Sequence, residues 1–334
     1  MKSLLIILLL VEGAFGQDFH SSNLQNISLL YNPALAAINN QIEANVNYRS
    51  QWSKAGTPFK TFGVSIASSL QPKKTDKKSY LAIGGQLYEQ RIGNQSSNLS
   101  ISVSPTYHLK FTKHTKLSVG LNLGLYQIKK NIESGTWEQQ HNGLFYDPTL
   151  PSGENLNRQV INSFDAGFGS VFSIKNKNQK IDVFQLGIAM YHINKPLISN
   201  LSNGTKLPVR TTVFSSIAIP LGRRGSYIES KLLYQNQGEF NSFAIGATAK
   251  VKLIEHAKST SSISKLNELY AGLGIYVRNK DALIINAILQ KSTWSVTLAY
   301  DMTVSNFKRA NQSLGSIELS LYFNIKSFSR KSHY

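Results

Sequence analysis

The sequence has no cysteine among its 334 residues. Disulfide scaffolds, thiolate zinc sites and iron–sulfur clusters are therefore excluded, as is a lipoprotein anchored through a cysteine. Acids are scarce: 18 Asp and Glu stand against 36 Lys and Arg, a formal charge of +18. Long hydrophobic runs are also missing. No apolar stretch reaches the ~18 residues a spanning helix needs, which argues against a helical membrane protein. Aromatic residues are plentiful, with 16 Phe and 15 Tyr. A basic excess this large commonly points to nucleic acid or an anionic surface, so the placement of the charge decides between them.

Lys2 precedes an unbroken apolar stretch from Leu4 to Val11, followed by Gly13, Ala14, Phe15 and Gly16 before Gln17. A positive start, a short apolar core and small residues near the end make 1–16 a signal peptide, cleaved near Gly16/Gln17. Export argues against a nucleic-acid partner. A cysteine-free exported chain fits the bacterial envelope better than animal secretion.

From residue 41 the dominant hydrophobic period is two. In 117–125, Leu117, Val119, Leu121, Leu123 and Leu125 share one face, and Ser118, Gly120, Asn122 and Gly124 the other. Segments 99–110 and 317–325 repeat the pattern, and weaker alternation marks 42–49, 59–70, 80–89, 164–174, 182–191, 208–219, 227–234, 242–253, 268–277, 282–290 and 293–303. These fourteen candidate strands, most near 9–12 residues, suit a tilted bilayer crossing. Their number is even and their polar faces carry Gly, Ser, Asn and Thr, as a crowded lumen requires. The fold expected is all-β: a transmembrane antiparallel β-barrel of about 14 strands over 41–326, bathed by outer-membrane lipid. Tyr48, Tyr80, Tyr107, Phe172, Tyr234, Tyr276 and Phe323 fall near strand ends and are candidates for interfacial girdles. Pro105 marks a local irregularity.

Residues 17–40 do not alternate. Leu24, Ile27, Leu30 and Tyr31 have helix-like spacing that Asn32-Pro33 ends. This leader is expected to plug the periplasmic mouth or fold into the lumen. With the N-terminus in the periplasm, the longest connection, 127–163, lies outside, and a connection that long is usually functional. The periplasmic turns and the tail 327–334 with Lys326 then hold 18 Lys/Arg, among them Lys73, Lys74, Lys77, Lys78, Arg223 and Arg224, against Asp76 and Glu255. The net charge thus concentrates at one rim, either as solvated turn lysines or as an attraction to anionic head groups, peptidoglycan or an acidic partner.

Chemistry is sparse. The seven His have no metal-ligand spacing, no G-x-S-x-G occurs, and pairing of His192 or His141 with a nearby Ser is expected from chance. No enzyme activity, cofactor or metal is expected. Arg49, Arg210, Glu229, Arg278, Asp281, Asp301 and Glu318 fall on lumen-facing positions or just beyond strand ends. They are read as an internal ion-pair network, with a ligand contact at the outer mouth as the sharper reading.

Several blocks resemble the PorP/SprF family of type IX secretion system outer-membrane proteins. Gln17-Asp18 with Tyr31-Asn32-Pro33-Ala34 is similar to the family's opening, and Tyr48-Arg49-Ser50-Gln51-Trp52 with Pro58 and Thr61 to its next block. Leu186-Gly187 through His192 and Pro196 resembles a mid-chain segment. Arg278-Asn279-Lys280-Asp281-Ala282, Tyr300-Asp301 with Val304-Ser305, and Gly315-Ser316-Ile317-Glu318-Leu319-Ser320-Leu321 are the more specific matches. The glycine often found after the Asn-Pro-Ala block is absent, and the tail extends past the last strand. The resemblance implies a non-enzymatic barrel that retains or displays the C-terminal domain of a secreted, adhesin-type surface protein, gliding adhesins included. It also implies contact with periplasmic or peptidoglycan-associated lipoproteins. On that footing loop 127–163, through Trp137, Phe145 and Tyr146, and the mouth residues Arg278 and Asp281 are the cargo-binding candidates. Lys73, Lys74, Lys77, Lys78, Arg223 and Arg224 are the candidates for the periplasmic partner. The alternative is a porin-like small-solute channel of the same fold.

Overall fold

The computed structural model describes residues 18–325 apart from 27–28, 40–41, 55–56, 71–78, 94, 131–137, 152, 154–158, 176–181, 199–203, 222–224, 254–267 and 307. The signal peptide, the tail, Trp137, the four lysines Lys73, Lys74, Lys77 and Lys78, and the pair Arg223 and Arg224 lie outside the described residues.

Fourteen strands form one closed antiparallel barrel. They are β1 (Ile42–Gln51), β2 (Phe59–Ser69), β3 (Ser79–Ile92), β4 (Ser96–Lys110), β5 (Thr115–Lys130), β6 (Gln159–Lys175) and β7 (Asp182–Tyr191). The second half comprises β8 (Arg210–Leu221), β9 (Ser226–Gln237), β10 (Phe240–Lys252), β11 (Leu269–Arg278), β12 (Ala282–Lys291), β13 (Trp294–Thr303) and β14 (Leu314–Ile325). Every strand pairs with its sequence neighbours, and β1 pairs with β14 from Ile42↔Ile325 to Gln51↔Ser316, so no edge is left open.

The alternation is inverted relative to a soluble barrel. On β5, Ser118 and Asn122 are almost wholly buried, whereas Val119, Leu121, Leu123 and Leu125 are 40–61% exposed. Leu273, Ile275 and Val277 on β11 face outward in the same way. In water each such side chain would forgo about 2 kcal/mol of burial; against lipid tails that penalty vanishes, which defines an outer-membrane barrel. Tyr48, Tyr107, Tyr234 and Phe323 are exposed on this face, while Tyr80 and Tyr276 are buried in the lumen rather than sited in a girdle.

β3 to β6 run 14–17 residues, longer than the 9–12 that alternation marks. They continue as polar ladder, as in Ser96↔Lys130 and Lys130↔Gln159, where hydrogen bonding persists beyond any apolar face. Loop 127–163 shortens accordingly to 131–158. Pro105 lies within β4, and the β4–β5 pairing skips from Val103 to Thr106, as expected where the N–H is missing.

One end of the barrel carries connections 131–158 and 192–209 (the loop end). The other carries the start of β1 and the finish of β14 (the turn end). Residues 18–26 and 29–39 lie in the lumen between them. Asp18 sits at the loop end, where its N–H donates to Gln237 Oε1 at 2.9 Å. Ile38 sits at the turn end, where its carbonyl accepts from Tyr80 Oη at 2.8 Å and from buried Lys116. This segment therefore lies inside the barrel instead of capping its mouth. It is not a regular helix but two 3-10 turns, Leu24–Asn26 and Pro33–Leu35. Asn32-Pro33 opens the second turn instead of ending a helix: Asn32 Oδ1 accepts from Ala34 N at 2.9 Å, and proline occupies the first turn position, where its missing N–H costs nothing. Asn32 Nδ2 also donates to the carbonyls of Ser170 and Ile188 at 3.0 Å each, fixing the turn to β6 and β7.

Glycines on one wall make room for it. A Cβ on Gly120 would lie 2.7 Å from the backbone of Pro33 and Ala34, and one on Gly84 2.6 Å from Leu29. Leu24, Leu30, Tyr31, Ala34 and Leu35 pack from the plug against Tyr88, Val171, Phe214 and Tyr276 of the wall. The spacing of Leu24, Leu30 and Tyr31 reflects this shared burial.

Candidate functional site

Two charged clusters clamp the plug at the loop end. In the first, the buried carboxylate of Asp301 on β13 receives Arg278 Nη2 at 2.8 Å and Arg49 Nη2 at 3.3 Å. Its Oδ2 also accepts Ser22 Oγ of the plug at 2.6 Å. Glu318 on β14 accepts Ser22 N at 2.6 Å and Asn47 Nδ2 at 2.5 Å, also receives Ser21 Oγ, and lies 3.8 Å from Arg49 Nε. Arg49 donates to the carbonyl of His20. Burial and the nearby Arg278 and Arg49 guanidiniums hold the His20 imidazole well below its usual range, so it is neutral.

The second cluster centres on His192, just past β7. His192 Nδ1 meets Asp165 Oδ1 at 2.8 Å and its Nε2 meets Asp18 Oδ2 at 2.6 Å. Arg210 Nη1 approaches the same Asp18 oxygen at 2.9 Å, and its Nη2 donates to Leu30 O at 2.9 Å. Burial disfavours a charged imidazole, but the Asp18 and Asp165 carboxylates outweigh it and raise His192 to about 9. Burial likewise disfavours the Asp18 carboxylate, yet His192 and Arg210 hold it well below the ordinary range. His192 has a φ of 57°, an uncommon conformation for a residue with a Cβ. It bonds to both carboxylates from that position.

At the turn end, His108 Nε2 meets Ala36 O at 2.8 Å and its Nδ1 meets Ser118 Oγ at 2.6 Å. Both side chains are buried beneath the plug, so this Ser–His pair positions the chain instead of facing solvent. On β9, across the lumen, Glu229 bridges Lys231 at 2.9 Å and Lys250 at 3.0 Å. Among the described residues no three potential metal ligands cluster.

The lumen-facing charges read from the sequence are thus brought together, but through the plug as well as to one another. Arg278 is not a free mouth residue. It is 5% exposed, with Nη2 on Asp301 and Nε 2.5 Å from Asp281, because the β11–β12 turn folds it back into the lumen. Only the half-exposed Asp281 side chain reaches the rim. Lys116 and Lys252, counted with the basic turns, are held by Ile38 O and by Glu268 at 2.9 Å respectively.

The long outer loop presents a different surface. His141 and Tyr146 form an isolated bridge. Asn142 Oδ1 accepts the N–H groups of Leu144 and Phe145 at 3.0 Å each, and Tyr146 Oη donates to Gln140 Oε1 at 3.2 Å. This tight turn displays Leu144 at 89%, Phe145 at 60% and Tyr146 at 41% exposure. Phe145 and Tyr146 were legible as aromatics in a long loop. Leu144 was missed, since nothing in the sequence says which way a loop apolar residue points. Asp18, Ser21, Ser22, Asp165 and His192 were also missed, because their partners lie far away in sequence.

The family model described as "Type IX secretion system membrane protein PorP/SprF" matches residues 14–323. No curated protein matches the sequence. Among solved structures, the toluene transporter TbuX of Ralstonia pickettii shares 9% identity over 90% of this chain and 93% of its own, at a TM-score of 0.48. A Pseudomonas aeruginosa FadL homologue shares 10% over 88% and 92%, at 0.45. BamA from Haemophilus ducreyi lacking POTRA domains 1–3 shares 10% over 85% and 70%, at 0.44. Likenesses this loose say nothing about function.

Proposed function

Because the chain belongs to the PorP/SprF family of type IX secretion membrane proteins, we propose that this outer-membrane barrel is a sealed anchor. It holds a secreted, adhesin-type cargo by that cargo's C-terminal domain at the loop end. Its turn end faces the periplasm and meets periplasmic or peptidoglycan-associated lipoproteins of the machinery. The observation that carries this reading is the hydrogen-bonded, exposed apolar tip Leu144–Tyr146 at the end where the leader packs the lumen. Aromatic anchors displayed on an ordered turn are the residue type that dominates interface energy, and their order lowers the entropy lost on binding. The turn also leaves Asp281 at the rim as a polar contact, while Arg278 stays engaged with the plug.

The closed lumen disfavours the porin-like alternative. Among the described residues the loop half shows cavities of ≈ 40 and ≈ 10 Å³ beside the plug. The first holds little more than a single water. The test is co-purification of the native secreted protein from outer membranes. Replacing Leu144, Phe145 and Tyr146 together by Ser is expected to lose the cargo while the barrel keeps its heat-modifiable migration. Undiminished recovery overturns the loop-tip assignment.

A further inference from the structure

The turn half of the lumen is not filled. A cavity of ≈ 320 Å³ lies between the plug and a wall formed by β7 to β10, β12 to β14, β1 and β2. That is the lower end of the size range of small-molecule sites. Its wall holds Lys231 and Lys250, and Glu229 is the one carboxylate that pairs with both. Glu43 and Lys291 add one charge of each sign, which leaves an excess cation. Buried charge without compensation is costly, so the site favours an anion. Three amides around it, Gln25 of the plug and Asn45 and Asn324 of the wall, have side-chain oxygens without a hydrogen-bond partner. Gln25 and Asn45 are each more than nine-tenths buried. Buried oxygens in this state lack a donor that a ligand would supply.

An excess ammonium beside acceptors that lack donors defines an occupant with a carboxylate and several N–H groups. We propose that this cavity binds a short acidic peptide segment of a partner, entering from the turn end, with its carboxylate at Lys250 and Lys231 and its amide N–H groups on Asn45, Asn324 and Gln25. The cavity has room for two or three residues of such a segment. This goes beyond the cargo reading and stands or falls without it, since cargo docks at the other end.

The experiment is a titration of the purified full-length barrel with a fluorescein-labelled peptide Gly-Asp-Gly-Glu carrying a free C-terminus, read by fluorescence anisotropy. Controls are the Gly-Asn-Gly-Gln amide, Gly-Lys-Gly-Lys, and competition by inorganic phosphate. Saturable binding of the acidic peptide is expected, weakened at least ten-fold in Lys250→Met and several-fold in Asn45→Leu, and retained in Lys250→Arg. If Lys250→Met does not fold, Lys231→Met against Lys231→Arg makes the same comparison. No binding at millimolar peptide, equal binding of the neutral or lysine peptide, or indifference to loss of the lysine charge overturns the proposal. Displacement by phosphate at equal concentration also overturns it, since the site would then be one for a free small anion.

Discussion

The two halves of the lumen are built on opposite terms. In the loop half every acid that touches the plug is met by a cation or a plug donor: Asp301 and Glu318 hold Ser21 and Ser22, and His192 and Arg210 hold Asp18. Little space is left there. In the turn half the leader leaves the opposite wall and a cavity opens. The difference teaches that the leader is not a uniform filler. It seals one end by specific charge pairing, and towards the other it packs on a glycine-lined wall and forms one side of a chamber. A seal at the loop end and a chamber at the turn end are what the proposed anchoring role calls for, attachment without passage of solute.

The largest effect should come from removing the glycine seat of the plug. Gly120→Val places a branched side chain where the Pro33 and Ala34 backbone lies. The plug should be expelled and residues 18–39 should become cleavable by added protease, while they resist it in the native barrel. Continued resistance would mean that the glycine wall is not the seat.

Next is the charge clamp. Asp301→Asn leaves Arg278 and Arg49 without their shared carboxylate, and breaking a buried pair of this kind costs about 3–5 kcal/mol. A marked fall in the thermal transition is expected. Glu229→Gln, which leaves the buried Lys231 and Lys250 without their shared carboxylate, should lower the transition comparably; an unchanged transition would show that the cavity relieves the two lysines.

At the outer surface, Phe145→Ala alone should weaken cargo capture by about 2 kcal/mol, roughly thirty-fold in affinity, with no change in melting. A loss of stability instead would make the tip a packing element.

The smallest effect is the pH response. A pKa of about 9 for His192, above its ordinary 6.5, means that its contribution is fully present below pH 6.5 and is lost as pH rises through 9. Protease protection of the plug should therefore weaken between pH 8 and 10, and His192→Gln should abolish that dependence. The turn-end contact of His108 with Ala36 should not follow it.

Much of the barrel was legible because a period of two needs only neighbours to be seen: Leu117, Ser118 and Val119 announce their faces without reference to any other strand. The inverted sense of those faces followed from strand length and small lumen residues. The extra length of β3 to β6 was not legible, since Ser96–Asn98 and Lys129–Lys130 pair through backbone alone. The seal was half legible. Arg49, Asp301 and Glu318 stood out as charges on inward faces, but His192 and Asp18 are 174 residues apart and meet only when the barrel has closed around the leader. Arg278 read as a mouth residue because it ends a strand; the turn back to Asp281 is a tertiary fact. The glycine seat was invisible for the same reason, since Gly84, Gly120 and Gly169 converge from separate strands on one short turn.

The central claim is that this barrel is sealed, and steady-state conductance in a planar bilayer tests it most directly. The purified wild-type protein is expected to show no steady current, with Gly120→Val opening stable steps. Stable single-channel steps from the wild-type barrel would contradict the account and make it a channel.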